Sequence, residues 1–156
     1  MKYLLALAII AGAYYQFYLP KLDEESIVDF MSEIKLADMN KDYETMTEQF
    51  SELVLVSQSD RHSDVTSELE MKRETLIKAI KQLKSPKLNL VDKSEIEKIE
   101  ILEEKALVTS LITVWVTVEG RRIKRVSRET LTIVIQKASL KIREINSHLI
   151  KAKYVS

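Results

Sequence analysis

The chain has 156 residues, with 24 basic and 24 acidic side chains, no cysteine, two histidines, two glycines and two prolines. Hydrophobic residues at 46% and charged residues at 31% describe a chain that folds, of about one domain's size, and exclude disorder. The lack of cysteine excludes disulfide frameworks, thiolate zinc sites and cysteine nucleophiles, and two glycines exclude the common phosphate-binding loops.

Tyr3 to Leu19 is a 17-residue run interrupted only by Gly12, Gln16 and amphipathic tyrosines. As a helix it would measure about 25 Å, the short end of what spans a bilayer. Tyr14, Tyr15, Phe17 and Tyr18 gather at its far end, where ring side chains favour the headgroup region, and Pro20-Lys21 ends it. Ala11-Gly12-Ala13 also offers a signal-peptidase site. Cleavage there would leave a greasy Tyr-Tyr-Gln-Phe-Tyr-Leu tail, so residues 1–20 are read as an uncleaved anchor that enters the membrane through residues 3–19. Lys2 and the amino group against Lys21 favour a cytoplasmic N-terminus and a periplasmic or extracellular domain over residues 21–156.

Asp23 to Ser26 supplies acidic and capping groups for a helix that carries Ile27, Phe30, Met31 and Ile34 at helical spacing. Met39-Asn40 is expected to close it, because asparagine tolerates the left-handed conformation. A shorter helix follows with Tyr43, Met46 and Phe50 on one face. Leu53 to Val56 reads as a short buried strand and Ser57 to Ser63 as a loop. The capping-box spacing Ser67-x-x-Glu70 and the apolar positions Val65, Leu69, Leu76, Ile80 and Leu83 predict a third helix over 65–84, stopped by Ser85-Pro86.

The second half reads as strand. Leu88 and Leu90 suggest a short edge piece, and Ile96 to Leu102 a strand. Ala106 to Glu119 carries β-branched residues on both faces, which suits a pleated sheet better than a helix. Gly120 marks a turn, Ile123 to Ile135 returns, and Leu140 to His148 gives the last strand. The expected fold is α+β, with three N-terminal helices packed on a curved, cone-like antiparallel sheet, preceded by the transmembrane helix.

With Asp42 opening the second helix, Phe50 eight residues later and the apolar strand Leu53 to Val56, the chain resembles the nuclear transport factor 2-like superfamily of cone-shaped domains. Late in that family a strand often reads Gly-x-Trp-Lys-Ile and ends near a histidine; here Ser139-Leu140-Lys141-Ile142 and His148 stand, without the glycine or the tryptophan. The resemblance covers roughly residues 22–150. It implies a cone pocket lined by Phe30, Ile34, Tyr43, Phe50 and Gln58. The family holds isomerases and dehydratases as well as accessory, transport and secretion components, so fold alone does not decide activity.

In the steroid-isomerase branch a carboxylate after the first short strand acts as base and a tyrosine on the first helix donates to the oxyanion. Those positions correspond to Gln58 and Ile34 here, which can neither accept a proton nor donate one. The remaining candidates for catalysis are Asp60, two residues on, and His148, at the cone mouth. His62, between Asp60 and Asp64, would crowd three metal ligands into five loop residues, so no metal and no cofactor is expected.

Charge is unevenly spread. Lys21 to Met71 holds 14 acidic and 4 basic residues, whereas Lys105 to Ser156 holds 11 basic and 3 acidic. Arg121, Arg122, Lys124, Arg125 and Arg128 crowd one hairpin and Glu95, Glu97, Glu100, Glu103 and Glu104 the segment before it. Cross-strand ion pairing would absorb part of this, each exposed pair weighing under about 1 kcal/mol. The rest suggests an acidic protein partner or anionic lipid headgroups. Nucleic acid is not expected, for want of interleaved aromatics. Thr109, Thr113, Thr117, Thr130 and Thr132 with Trp115 form a half-polar sheet face on which a second copy could pair. The sequence therefore reads as a membrane-anchored binding or assembly module, and alternatively as a lyase or isomerase acting on a small apolar substrate in the cone. An anchor followed by such a domain also resembles the periplasmic scaffold subunits of type IV secretion machines, which carry a longer cytoplasmic lead.

Overall fold

The computed structural model describes residues 20–60, 63–84, 91–118 and 120–155. The expected anchor over 3–19 and the expected edge piece at Leu88 and Leu90 lie outside the described residues. Among the described residues no helix is long and apolar enough to cross a membrane.

Helix α1, Glu24–Asn40, starts where the Asp23 carboxylate accepts the Ser26 N–H at 2.8 Å, with Glu24 and Glu25 in its first turn against the helix dipole. Ile27, Phe30 and Ala37 form its buried stripe. The left-handed residue that ends it is Lys41 (φ 55°), one position beyond the expected Asn40, and it lets Asp42 N–H reach Ala37 O at 2.9 Å. Asp42 then caps α2, Tyr43–Glu48, accepting from Thr45 N at 3.1 Å and Thr45 Oγ1 at 2.6 Å.

The next segment departs from expectation. β1 runs through Phe50–Asp60, absorbing most of the expected loop, and Ser63–Lys72 is strand β2, so the third helix shrinks to α3, Arg73–Leu83. Pairing explains it: Val54 lies opposite Met71 and Val56 opposite Leu69, so alternation puts the apolar side chains on one face and Glu68 and Glu70 on the other. Ser67-x-x-Glu70 has capping spacing, but a ladder beside β1 outweighs a local cap. Hence α3 follows the first hairpin and does not precede the sheet.

β3 (Val91–Ile101), β4 (Ala106–Val118), β5 (Arg121–Gln136) and β6 (Ser139–Val155) complete a six-stranded sheet in the order β2-β1-β6-β5-β4-β3. It is not wholly antiparallel as expected, because β1 pairs parallel to β6. A parallel pair needs a long connection, and everything from β2 to β5 supplies it. Register shifts at Gln58/Asp60, Ile96/Lys98, Val126/Ser127 and Thr132/Ile133 mark bulges, which bend strands and curve the sheet. Gly120 (φ +75°) turns β4 into β5, and Lys137 (φ 51°) with Ala138 (φ 57°) makes the two-residue turn into β6.

The core sits at one end of the sheet. Ile27, Phe30, Met46, Leu76 and Ile77 from the helices meet Val54, Val108, Leu131, Ile133 and Ile142 from the strands. α1 measures about 25 Å, whereas the 16 residues of β5 reach about 50 Å. The strands therefore continue as an arm past the helical layer.

Candidate functional site

Strand alternation assigns the faces. Leu69, Val56, Ile145, Leu131, Val108 and Ile99 stand opposite one another across the six strands, and all but the exposed Leu69 belong to or pack on the core, so this parity faces the helices. One row further toward the arm, two residues along on five strands and three on β3 across its bulge, the side chains read Ser67, Gln58, Ser147, Glu129, Ser110 and, on β3, Ile96. Five polar side chains thus cross five adjacent strands on the inner face, directly beyond an apolar row.

Glu129 is central to that row. It is half-buried, and burial pushes its carboxyl above the ordinary carboxylate range, with no charged neighbour contributing. Ser110, one strand away, is buried; Ser147, on the other side, is half-buried; Gln58 is exposed. One strand beyond Ser110, Ile96 closes the row with an apolar end. Nothing in the charge count marks Glu129, since it lies in the most basic stretch of the chain. Alternation would have found it: placing Thr130 and Thr132 on the outer face puts Glu129 inward with Leu131 and Ile133.

The pocket residues expected from the resemblance divide. Phe30 and Phe50 are buried in the core, and Ile34 and Tyr43 pack against its edge, Tyr43 beneath Lys81 Nζ at 5.3 Å from its ring. Gln58 alone joins the polar row. His148 stands on the outer face, where its Nδ1 meets Ser59 Oγ at 2.8 Å and its register partner is Arg128. Asp60 ends β1 on the inner parity; its side chain, like His62 and the side chain of Asp64, lies outside what is described. Among the described residues no group of three or more His, Asp or Glu is arranged to hold a metal ion.

The basic hairpin lies on the arm. Arg122, Lys124 and Arg128 point outward; Arg121 and Arg125 have the inner parity. Arg128 is occupied: its Nε donates to Glu97 at 2.8 Å, which holds the Glu97 carboxyl below its ordinary range. The other four have no acidic partner among the described residues. Arg122 and Lys124 instead lie over the Trp115 ring at 5.9 and 5.5 Å. Register adds Lys153 directly opposite Lys124, and Tyr154, 70% exposed, opposite Ile123. Like charges facing each other across a ladder are destabilising, so this end of the sheet is not arranged for stability alone. On the outer face nearer the core, Thr109 and Thr130 share a hydrogen bond of 3.2 Å and Thr132 donates to Glu144 at 3.0 Å.

No family model and no curated protein matches the sequence. Solved structures do share the fold. A nuclear transport factor 2-like protein from Novosphingobium aromaticivorans is 18% identical with a TM-score of 0.60, over 83% of this chain and 82% of that one. The hexachlorocyclohexane dehydrochlorinase of Novosphingobium barchaimii is 9% identical with a TM-score of 0.62, over 83% and 88%. The CaMKII hub of S. rosetta is 15% identical with a TM-score of 0.59, over 80% and 94%. At these identities the likeness is one of fold, the nuclear transport factor 2-like cone, and that fold holds both a dehydrochlorinase and a hub.

Proposed function

We propose that this chain is a non-enzymatic binding or assembly module, anchored in a membrane by residues 3–19, with its domain outside the cytoplasm and its basic arm docked on an acidic protein surface. The carrying observation is the set of cations at the arm that the described fold leaves unpaired: Arg121, Arg122, Lys124 and Arg125, with Lys153 facing Lys124 and Trp115 beneath two of them. Arginine, tryptophan and tyrosine are the side chains enriched at protein interfaces. A protein partner is preferred to anionic lipid because Asp23, Glu24 and Glu25 follow the anchor directly and would repel an anionic headgroup layer. The outer face around Trp115, Thr113 and Thr117 is where a second copy would pair.

The test uses the full chain in its membrane. Carbonate-resistant membrane association, lost on deletion of residues 1–20, supports the anchor; release of the intact chain by carbonate removes it. Reporter fusions after residue 156 should be active only outside the cytoplasm. Arg122→Glu with Arg125→Glu should abolish a partner crosslink seen with the native chain. An unchanged crosslink, or loss only of liposome flotation, overturns the acidic-protein reading.

A second reading rests on Glu129. A half-buried carboxyl with a raised proton affinity, in the same row as Gln58, is the group on the inner face that would serve proton transfer in a lyase or isomerase. His148, on the outer face, would not. Turnover of a small apolar substrate that disappears in Glu129→Gln would favour this reading.

A further inference from the structure

We infer that the inner-face row centred on Glu129 is a binding site for a small primary amine, held by its ammonium group with its apolar body against the neighbouring rows. The inference is independent of the basic arm and stands on what the row offers. Glu129, Ser110, Ser147 and Gln58 occupy successive positions on β5, β4, β6 and β1, and each carries an acceptor oxygen. An ammonium has three donors and no acceptor, so it can be satisfied by one carboxylate and two of the flanking oxygens.

The neighbouring rows suit the rest of such a ligand. Leu131, Val108 and Ile145 lie one row toward the core, and Ile112 and Leu149 one row toward the arm. Among the described residues no cation pairs with Glu129, and it is held away from water on one side. Removing a carboxylate from water is costly unless a charge partner arrives with it, and a cationic ligand is such a partner. Among the described residues the charged groups of the same parity nearest the row are Arg125, four residues along β5, and Asp92, which shares the register row of Arg125 through Val114 and lies 3.8 Å from Lys84 Nζ; Asp60 has this parity by its backbone alone. α1 turns Ile27, Phe30 and Ala37 inward. An anionic ligand would meet Glu129 itself, and a wholly apolar one would strip water from the polar row without replacing its hydrogen bonds.

The experiment titrates the full chain with n-hexylamine and, separately, n-hexanol, following backbone amide shifts of Ser110, Glu129 and Ser147. The expected result is a dissociation constant about tenfold lower for the amine than for the alcohol. The preference should widen from about pH 4.5 to about pH 7.5 as the carboxyl ionises while the amine stays charged, and should vanish in Glu129→Gln. Glu129→Asp should keep the preference for the amine in weaker form. Equal affinities at about pH 7.5, a preference that survives Glu129→Gln, or no shifts with either probe in a folded chain would each overturn the assignment.

Discussion

The two ends of the sheet are built on different terms. At the helical end Ile133, Ala106 and Val108 are fully buried, Ile142 nearly so, and acidic residues are spent on caps at Asp23 and Asp42. At the arm the same strands continue with no residue of 112–117, 121–125 or 149–155 in the core, and four cations lack described partners. One end is organised by removal of apolar surface from water, the other by side chains kept available to it. The lesson is that a strand's length can exceed what its core requires, and the surplus is where a surface for another molecule is most economically placed.

The sharpest break in that comparison comes from truncating the same residue type at each end. Ile133→Ala should lower unfolding stability by about 3–4 kcal/mol, whereas Ile123→Ala, half-buried on the arm of the same strand, should cost about 1 kcal/mol or less in denaturant titration. Equal losses would mean that the arm is part of the core. Next in size, replacing Lys137-Ala138 by Asn-Gly should stabilise by about 1–2 kcal/mol, since both residues hold positive φ without the side chains that favour it.

Two smaller effects carry opposite pH signatures. Hydrogen bonds from Thr45 hold Asp42 below its ordinary range, so its contribution is complete at neutral pH and fades as pH falls through the folded value. Asp42→Ala should therefore lower Tm by a few degrees near pH 7 and converge with the native chain in acid. Glu129 has the reverse sign: burial raises its proton affinity, so the folded state loses stability as pH rises past the ordinary carboxylate value toward the raised one. Glu129→Gln should raise the unfolding midpoint near pH 7, with the difference shrinking toward pH 4 in thermal melts.

Much of this architecture was legible because local and global preferences agree. The two-sided β-branched pattern of β4, the turn at Gly120 and the cap at Asp42 all reappear in the structure. Residues 65–72 misled because an apolar spacing compatible with a helix is also an alternation once β1 lies beside it, and only the tertiary partner selects between them. The parallel β1–β6 pair was not readable at all, being a contact between residues nearly ninety positions apart, as between Ser59 and His148. For the site, a run of arginines is visible in any linear reading, but that Arg128 is engaged by Glu97 while Arg122 and Lys124 share Trp115 depends on register. Glu129 is not legible in a net-charge count, which hides one acid among many bases.

β6 lies third in the sheet, between the hairpin β1–β2 and the meander β3–β4–β5, and it is made after both. On the ribosome the two blocks must wait for residues 139–155 to emerge before anything in the sheet joins them. Until then β1 offers a bare, apolar rim carrying Val54 and Val56, a natural target for a holding chaperone. Closure of the sheet is thus timed by β6, and nascent chains stalled before it emerges should be recovered chaperone-bound and protease-sensitive.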